Sequence, residues 1–265
     1  MPNNDNFEFI KTKKEESAFL ITLDNPPVNA LNLRMLGELS TGIRLGNKDP
    51  EIRGIVITGS GNNAFCAGAD LKMMQGFSPE DATKIVETGH QTFFDVQESE
   101  KPVLAAINGL SLGGGNELAL ACDIRFASDR ARFGQPEVTL GLIPAWGGTQ
   151  RLSRLVGEGK AKELIFSGQI INAQEALRIG LVNKIVPDGE ELRVATDYVR
   201  MLASKVSPFA LSRAKLAINR GLETSSLRDA VKYEVAAIQE LAKSADLREG
   251  VQAFLEKRPP QFKGK

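Results

Sequence analysis

The 265-residue chain has one histidine, His90, and two cysteines, Cys66 and Cys122, far apart in sequence. One imidazole and two distant thiols cannot assemble a zinc site. The thiols read as reduced, buried small hydrophobes rather than as a disulfide framework. Lys and Arg number 33, as do Asp and Glu, so the net charge is zero. Proteins that bind nucleic acid by neutralising phosphates carry an excess of cations, and that class loses its support. A small basic pocket for a phosphorylated ligand stays open. No apolar run approaches the ~20 residues needed to span a bilayer. The polar N-terminus, MPNNDNFEFIKTKKEES, has no apolar stretch of a secretory signal. These absences predict a cytoplasmic protein with neither a membrane nor a nucleic-acid partner.

Several catalytic motifs fail for the same want of residues. Gly109-Leu110-Ser111-Leu112-Gly113 matches the nucleophile elbow G-x-S-x-G and sits between a strand-like and a helix-like run. A hydrolase triad of that kind needs a histidine after the serine, and the one histidine precedes it. A serine without a base is a poor nucleophile, so Ser111 reads as a turn residue and His90 as a helix residue. GEGKAK lacks the upstream glycine and the Ser/Thr of a P-loop, and no G-x-G-x-x-G follows a strand. Nucleotide hydrolysis and nicotinamide chemistry lose their main support.

What is present is an ordinary globular composition, 42% hydrophobic and 25% charged, long enough for a sizeable core. FEFIKTK and SAFLITLD read as strands, closed by the turn Asn25-Pro26-Pro27. Residues 31–46 and 79–98 read as helices. GIVITGS, PVLAAIN and DIRFAS read as buried strands, with a short extended piece near Phe133. Strands alternating with helices imply crossover connections and an α/β arrangement. From about Gly189 onward the patterns are only helical. The clearest is the stripe Leu227, Ala230, Val231, Val235, Ile238 and Leu241, at spacings of one, three and four. The tail KRPPQFKGK is polar and is ordered only if something docks it.

Two glycine-rich loops follow two of the strands. One is Phe65-Cys66-Ala67-Gly68-Ala69-Asp70, the other Leu112-Gly113-Gly114-Gly115. Small residues let a ligand approach the backbone and leave N–H groups free to point at it. The second loop also opens a helix, whose N-terminus carries partial positive charge. Side by side, the loops could hold one oxygen between two donors, each worth about 3 kcal/mol to a transition state. Taken alone, either loop is better explained by tight packing. The segment FGQPEVTLGLIPAWGGTQRL adds to this a second glutamate, Glu137, in apolar, Gly/Pro-rich surroundings like those of Glu117. A buried carboxylate is costly unless partnered or used, and two suggest an acid/base pair.

AFCAGADLK, NGLSLGGGNELALACD, FGQPEVTLGLIPAWGGTQRL and AFLEKR, in this order, resemble the enoyl-CoA hydratase (crotonase) family over essentially the whole chain. The resemblance implies a spiral of ββα units with two roughly perpendicular sheets. It implies a core and acyl-CoA site over residues 1–195, and a helical region over 196–265 that builds homotrimers or homohexamers. It also implies an enzyme of fatty acid metabolism acting on acyl-CoA thioesters, with no cofactor beyond the coenzyme A of the substrate itself. By the match, the N–H groups of Ala69 and Gly114 form the oxyanion hole. Glu117 orients water and acts as base, and Glu137 donates a proton to the α-carbon. Ala67, Lys72, Phe254 and Lys257 resemble the coenzyme A contacts, the last two reaching in from a neighbouring subunit; each lysine is equally a solvated surface charge. Met73, Met74, Phe77, Leu142, Ala145 and Trp146 are acyl-pocket positions or core. Ala145 departs from the glycine common in the family, and Trp146 adds a large ring beside it, so acyl length and branching stay open. Family isomerases tend to lack the glutamate matching Glu117, so both glutamates together favour a hydratase. The alternative is an isomerase, or another acyl-CoA lyase of this fold with a branched or cyclic substrate.

Overall fold

The computed structural model describes residues 7–76 and 78–264. Phe77 lies outside the described residues. The chain forms β1 (Ile10–Glu15), β2 (Ala18–Leu23), α1 (Leu33–Lys48), β3 (Gly54–Gly59), β4 (Ala64–Cys66), α2 (Pro79–Gln97), β5 (Val103–Ile107), β6 (Leu110–Leu112) and α3 (Gly114–Ala121). It continues through β7 (Ile124–Ser128), β8 (Arg132–Gly134), α4 (Gly148–Val156), α5 (Glu158–Ser167), β9 (Ile171–Asn172), α6 (Ala173–Arg178) and β10 (Lys184–Val186). The last four helices are α7 (Glu191–Lys205), α8 (Pro208–Leu222), α9 (Leu227–Leu241) and α10 (Ala245–Leu255). Short 3-10 turns at Leu71–Met74 and Pro136–Leu140 follow β4 and β8.

The strands form two sheets, ordered β1-β2-β3-β5-β7-β10 and β4-β6-β8-β9. β1 and β2 are an antiparallel hairpin, and every other pair in the large sheet is parallel. The chain alternates between sheets: β3 then β4 then α2, β5 then β6 then α3, β7 then β8 then α4. That is the ββα spiral. β3 and β5 are buried at every residue, as expected of parallel strands covered on both faces.

Three departures from the sequence reading have one cause. The loop GNNAFCAGAD contains β4, the stretch after Asn108 contains β6, and β9 and β10 were not foreseen. All are two or three residues long, too short to show a period of two. Residue 195 falls inside α7, which packs on β3, β5 and β7.

Local chemistry sets the helix boundaries. Ser78 and Asp81 form a reciprocal capping box at α2, with Pro79 in the first turn. Ser207, Ser226 and Ser244 cap α8, α9 and α10. The polar tail is docked: Asp246 accepts the Lys263 and Gly264 amides, and Glu249 accepts that of Gln261.

Buried side-chain amides fix the loops that will matter. Asn29 donates to Ser60 O and Ala64 O. Asn108 donates to Gly59 O and Gly61 O and accepts from the Gly59 amide. The first glycine loop is stitched to residues 28–31 by Ala67 N to Val28 O, Leu31 N to Gly68 O and Asp70 N to Leu31 O, at 2.8–3.0 Å. Gly115 packs α3 directly on β4, since a Cβ there would lie 2.0 Å from Cys66 O. Gly115→Ala is therefore expected to cost about 3 kcal/mol or more in urea unfolding. Gly159→Ala, in open space on α5, should instead gain about 0.5 kcal/mol.

Candidate active site

The two glycine loops end up side by side because β4 and β6 are parallel neighbours. Gly68 has φ +109°, and a Cβ on it would sit 3.2 Å from Leu112 O and 3.6 Å from Gly114 N. A Cβ on Gly114 would sit 3.4 Å from Ala69 N. Ala69 bridges Leu31 in parallel fashion, so its neighbours Gly68 and Asp70 make the bonds to Leu31. Its own amide faces the other way. Gly113 donates to Gly134 O, whereas the Ala69 and Gly114 amides have no acceptor among the described residues. Two adjacent free donors at the start of a helix suit a developing negative oxygen.

Glu117 lies one turn along α3, its N–H bonded to Gly113 O. Its side chain is 2% exposed. Oε1 accepts the amides of Trp146 (2.8 Å) and Gly148 (2.7 Å), and Oε2 has no partner among the described residues. Burial, and then the charge of Glu137, push the Glu117 carboxyl up to about 8; the two amides and Arg151 oppose the rise.

Glu137 stands on the 3-10 turn Pro136–Leu140, half-buried, and burial raises its carboxyl above the usual range. Its Oε1 lies 2.7 Å from where Gly113 would carry a Cβ. Gly113 has φ +50°, so only glycine suits both its backbone and this approach. The orientation of the Gln135 amide that satisfies its surroundings donates to Glu137 Oε1 and to Gly113 O, at 3.3 Å each. A Cβ on Gly148 would touch both the Gln135 amide (2.9 Å) and Glu117 Oε1 (3.0 Å). The two carboxyls thus share one small space.

Ala145 is half-buried, and its amide has no acceptor among the described residues. Trp146 is buried, and its indole donates to Ile85 O at 3.2 Å and meets Phe93 edge-on at 5.8 Å. The ring lies between α2 and α3: a Cβ on Gly89 would sit 2.2 Å from it, and one on Gly114 2.6 Å. It is core and a neighbour of the free Gly114 amide at once. Leu142 is half-buried and bonds back to Glu137 O. Met73 and Met74 are half-buried and Lys72 exposed, all on the turn Leu71–Met74. Phe254 is 82% exposed at the end of α10, and Lys257 is exposed just beyond it. No hydrogen bond or ion pair among the described residues joins them to the glycine loops.

The serine of the G-x-S-x-G stretch is no nucleophile here. Ser111 is fully buried in β6, and its hydroxyl lacks a partner. His90 stacks on Phe94 on α2. No group of three or more metal-ligating side chains exists among the described residues. Sequence reasoning missed the amides of Trp146 and Gly148, Gln135 and Arg151. Only the Pro144 and Gly147-Gly148 punctuation hinted at a tight, N–H-presenting turn.

The family model described as enoyl-CoA hydratase/isomerase matches residues 13–265. The chain is 43% identical over 257 residues to a crotonyl-CoA hydratase from Syntrophomonas wolfei, covering 97% of this chain and 98% of the relative. It is 44% identical over 247 residues to a short-chain-enoyl-CoA hydratase from Clostridium acetobutylicum, covering 93% and 94%. Among solved structures, an enoyl-CoA hydratase from Bacillus anthracis superposes with a TM-score of 0.92 at 40% identity, covering 97% of this chain and all of that one.

Glu117 carries a proton more tightly folded than unfolded. The stability this lends is fully present below its ordinary value of 4.5 and is lost as pH rises through about 8. The melting temperature of the native protein should therefore fall between pH 5 and pH 9 by several degrees more than that of Glu117→Gln, as measured by calorimetry.

Proposed function

Since the chain belongs to the enoyl-CoA hydratase/isomerase family, we propose that it hydrates short-chain enoyl-CoA thioesters to 3-hydroxyacyl-CoA, reversibly. The observation that carries this reading is the meeting of buried Glu117 and half-buried Glu137 with two amides that have no partner among the described residues. The thioester oxygen binds between the Ala69 and Gly114 amides. Water held by Glu117 and Glu137 delivers its oxygen to the β-carbon, and its proton passes to Glu117. Charge moves through the α-carbon onto the thioester oxygen as the enolate forms. The two amides stand where that charge develops, so they favour the transition state over the substrate. Glu137 then gives a proton to the α-carbon. No cofactor takes part; coenzyme A is the handle of the substrate, held by Ala67, Lys72 and, from a neighbouring copy, Phe254 and Lys257. Met74 and Leu142, with Ala145 and Trp146, border the acyl group; Phe77 belongs to this set by the resemblance alone. No helix among the described residues is long and apolar enough to cross a membrane, and both buried thiols are free, which supports work in the cytoplasm.

By its resemblance to the family the chain assembles as a homotrimer or a pair of them, and the helical region offers a face for this. No residue of α9 is buried in the single chain, and Leu227 and Ile238 on its apolar stripe are 80% and 62% exposed. Such a stripe marks an interaction surface. Light scattering should give three or six times 28.7 kDa. Ile238→Glu should shift the protein to smaller species and weaken binding of coenzyme A thioesters.

The direct test follows loss of the conjugated thioester absorbance of crotonyl-CoA. Glu117→Gln and Glu137→Gln should each lower kcat by about 10²–10⁴-fold. An inactive native protein that still binds the thioester would overturn the reading. Double-bond migration that survives Glu117→Gln but not Glu137→Gln would identify an isomerase instead.

A further inference from the structure

Arg151 is a cation that the reaction above does not use. It stands one turn into α4, partly buried against the back of the site, and burial lowers its hold on a proton. Its hydrogen bonds go to neutral oxygens: Nη1 donates to Trp146 O (3.0 Å) and Nε to Gln97 Oε1 (2.8 Å) at the end of α2. The guanidinium also lies 5.4 Å from the Phe94 ring centre. Its own amide binds Gly147 O at 2.7 Å. Gly147 has φ +107°, and a Cβ there would lie 2.2 Å from Nη1. The 146–148 turn is thus clamped from behind by the guanidinium, while its front presents two amides to Glu117.

Besides His90, the cavity that Arg151 lines holds Asp123, Arg125, Arg154, Lys215 and Glu223. Glu137 and Arg151 act on Glu117. Glu117 and Cys122, both on α3 or at its end, act on Arg151. Arg151 in turn acts on His90 of α2. Glu117 is the one carboxylate among them whose charge bears on Arg151, and the two meet through the turn rather than by contact.

We propose that Arg151 is a positioning residue for Glu117: its guanidinium locks the 146–148 turn whose amides hold Glu117 Oε1, and it sets a positive charge behind that buried carboxyl. A plain structural clamp would need a donor at this place but no charge. Lysine could supply the charge without spanning both acceptors, whereas a neutral glutamine could still donate to Trp146 O. The role in catalysis rests on the hydratase reading; the effect on Glu117 does not.

The first measurement therefore needs no substrate. The infrared band of the protonated Glu117 carboxyl, recognised as the band that Glu117→Gln abolishes, is followed against pH in the full-length protein. In Arg151→Gln and Arg151→Met its disappearance should move to higher pH by a measurable fraction of a unit, and in Arg151→Lys it should return close to the native position. The second measurement is the pH profile of crotonyl-CoA hydration. Both limbs should move upward in the neutral variants, with kcat lowered at least tenfold and KM within about twofold. Arg151→Lys should restore the limbs but not the full kcat. An unmoved band in either folded neutral variant, or a loss confined to KM, overturns the proposal. A moved band in a protein that hydrates no enoyl thioester upholds the proposal and removes the hydratase reading instead. If Arg151→Met does not fold, Arg151→Gln, which keeps the bond to the turn, carries the test alone.

Discussion

One carboxylate oxygen, Glu117 Oε1, accepts two backbone amides inside the protein, and much of the local architecture exists to make that possible. A carboxylate taken out of water loses its hydration and must find donors or give up its charge. The donors here belong to consecutive turns of backbone, so their aim depends on the shape of the 146–148 turn. That shape needs Gly147 in the left-handed region and Gly148 without a side chain, since a Cβ would press on the carboxylate itself. It places Trp146 where its indole must lie between two helices. Gly89 and Gly114 make room for the ring, although glycine within α2 costs about 1 kcal/mol of helix propensity relative to alanine. The constraint thus spreads from one oxygen to three helices.

The spiral explains why the parts meet at all. Each ββα turn leaves the large sheet, adds a short strand to the small sheet, and enters a helix. Parallel neighbours place equivalent loops side by side, so the ends of β4 and β6 bring Ala69 to Gly114, and β8, next to β6, brings the turn that carries Glu137 over Gly113. Residues 69, 114 and 137 are distant in sequence, yet they occupy successive rungs of one sheet edge. The side-chain amides of Asn29 and Asn108 then pin residues 59–64, which lead from β3 into β4 and the first loop.

That arrangement was legible to the extent that it rests on local pattern. The long strands β2, β3, β5 and β7 and the helices α1, α2 and α9 declare themselves through apolar runs and periodicity, and the Gly-rich loops and both glutamates through composition. The strands of the small sheet do not, because two or three residues carry no period. Their residues still mark the site by a different signal, glycine and small side chains at β4 and β6. What no sequence pattern conveyed was the partner of Glu117. Backbone amides leave no trace in residue identity, and Arg151 reads as one more charge on an amphipathic helix until its bond to Trp146 O is seen. The exposed stripe of α9 is the converse case: its pattern was plain, but none of its residues is fully buried in the single chain.

The electrostatic asymmetry of the two carboxyls completes the account of the proposed reaction. Two carboxylates in one small space do not both ionise readily, so the pair keeps one proton near neutral pH. Glu117 has two amides on one oxygen and a cation behind them, all of which favour its charged form. Glu137 has its own amide and the neutral Gln135 side chain, with burial working against its charge. Burial of Glu117 and the charge of Glu137 outweigh those donors, so when the pair holds one proton it rests on Glu117. Hydration needs the opposite distribution at the start: a carboxylate at Glu117 to take the proton of water, and a carboxylic acid at Glu137 to supply the α-carbon. After the addition the proton sits on Glu117 and the charge on Glu137, which is the starting distribution for dehydration. The same two residues therefore serve both directions, and the amides of the 146–148 turn, with Arg151 behind them, work against the protonated resting state of Glu117.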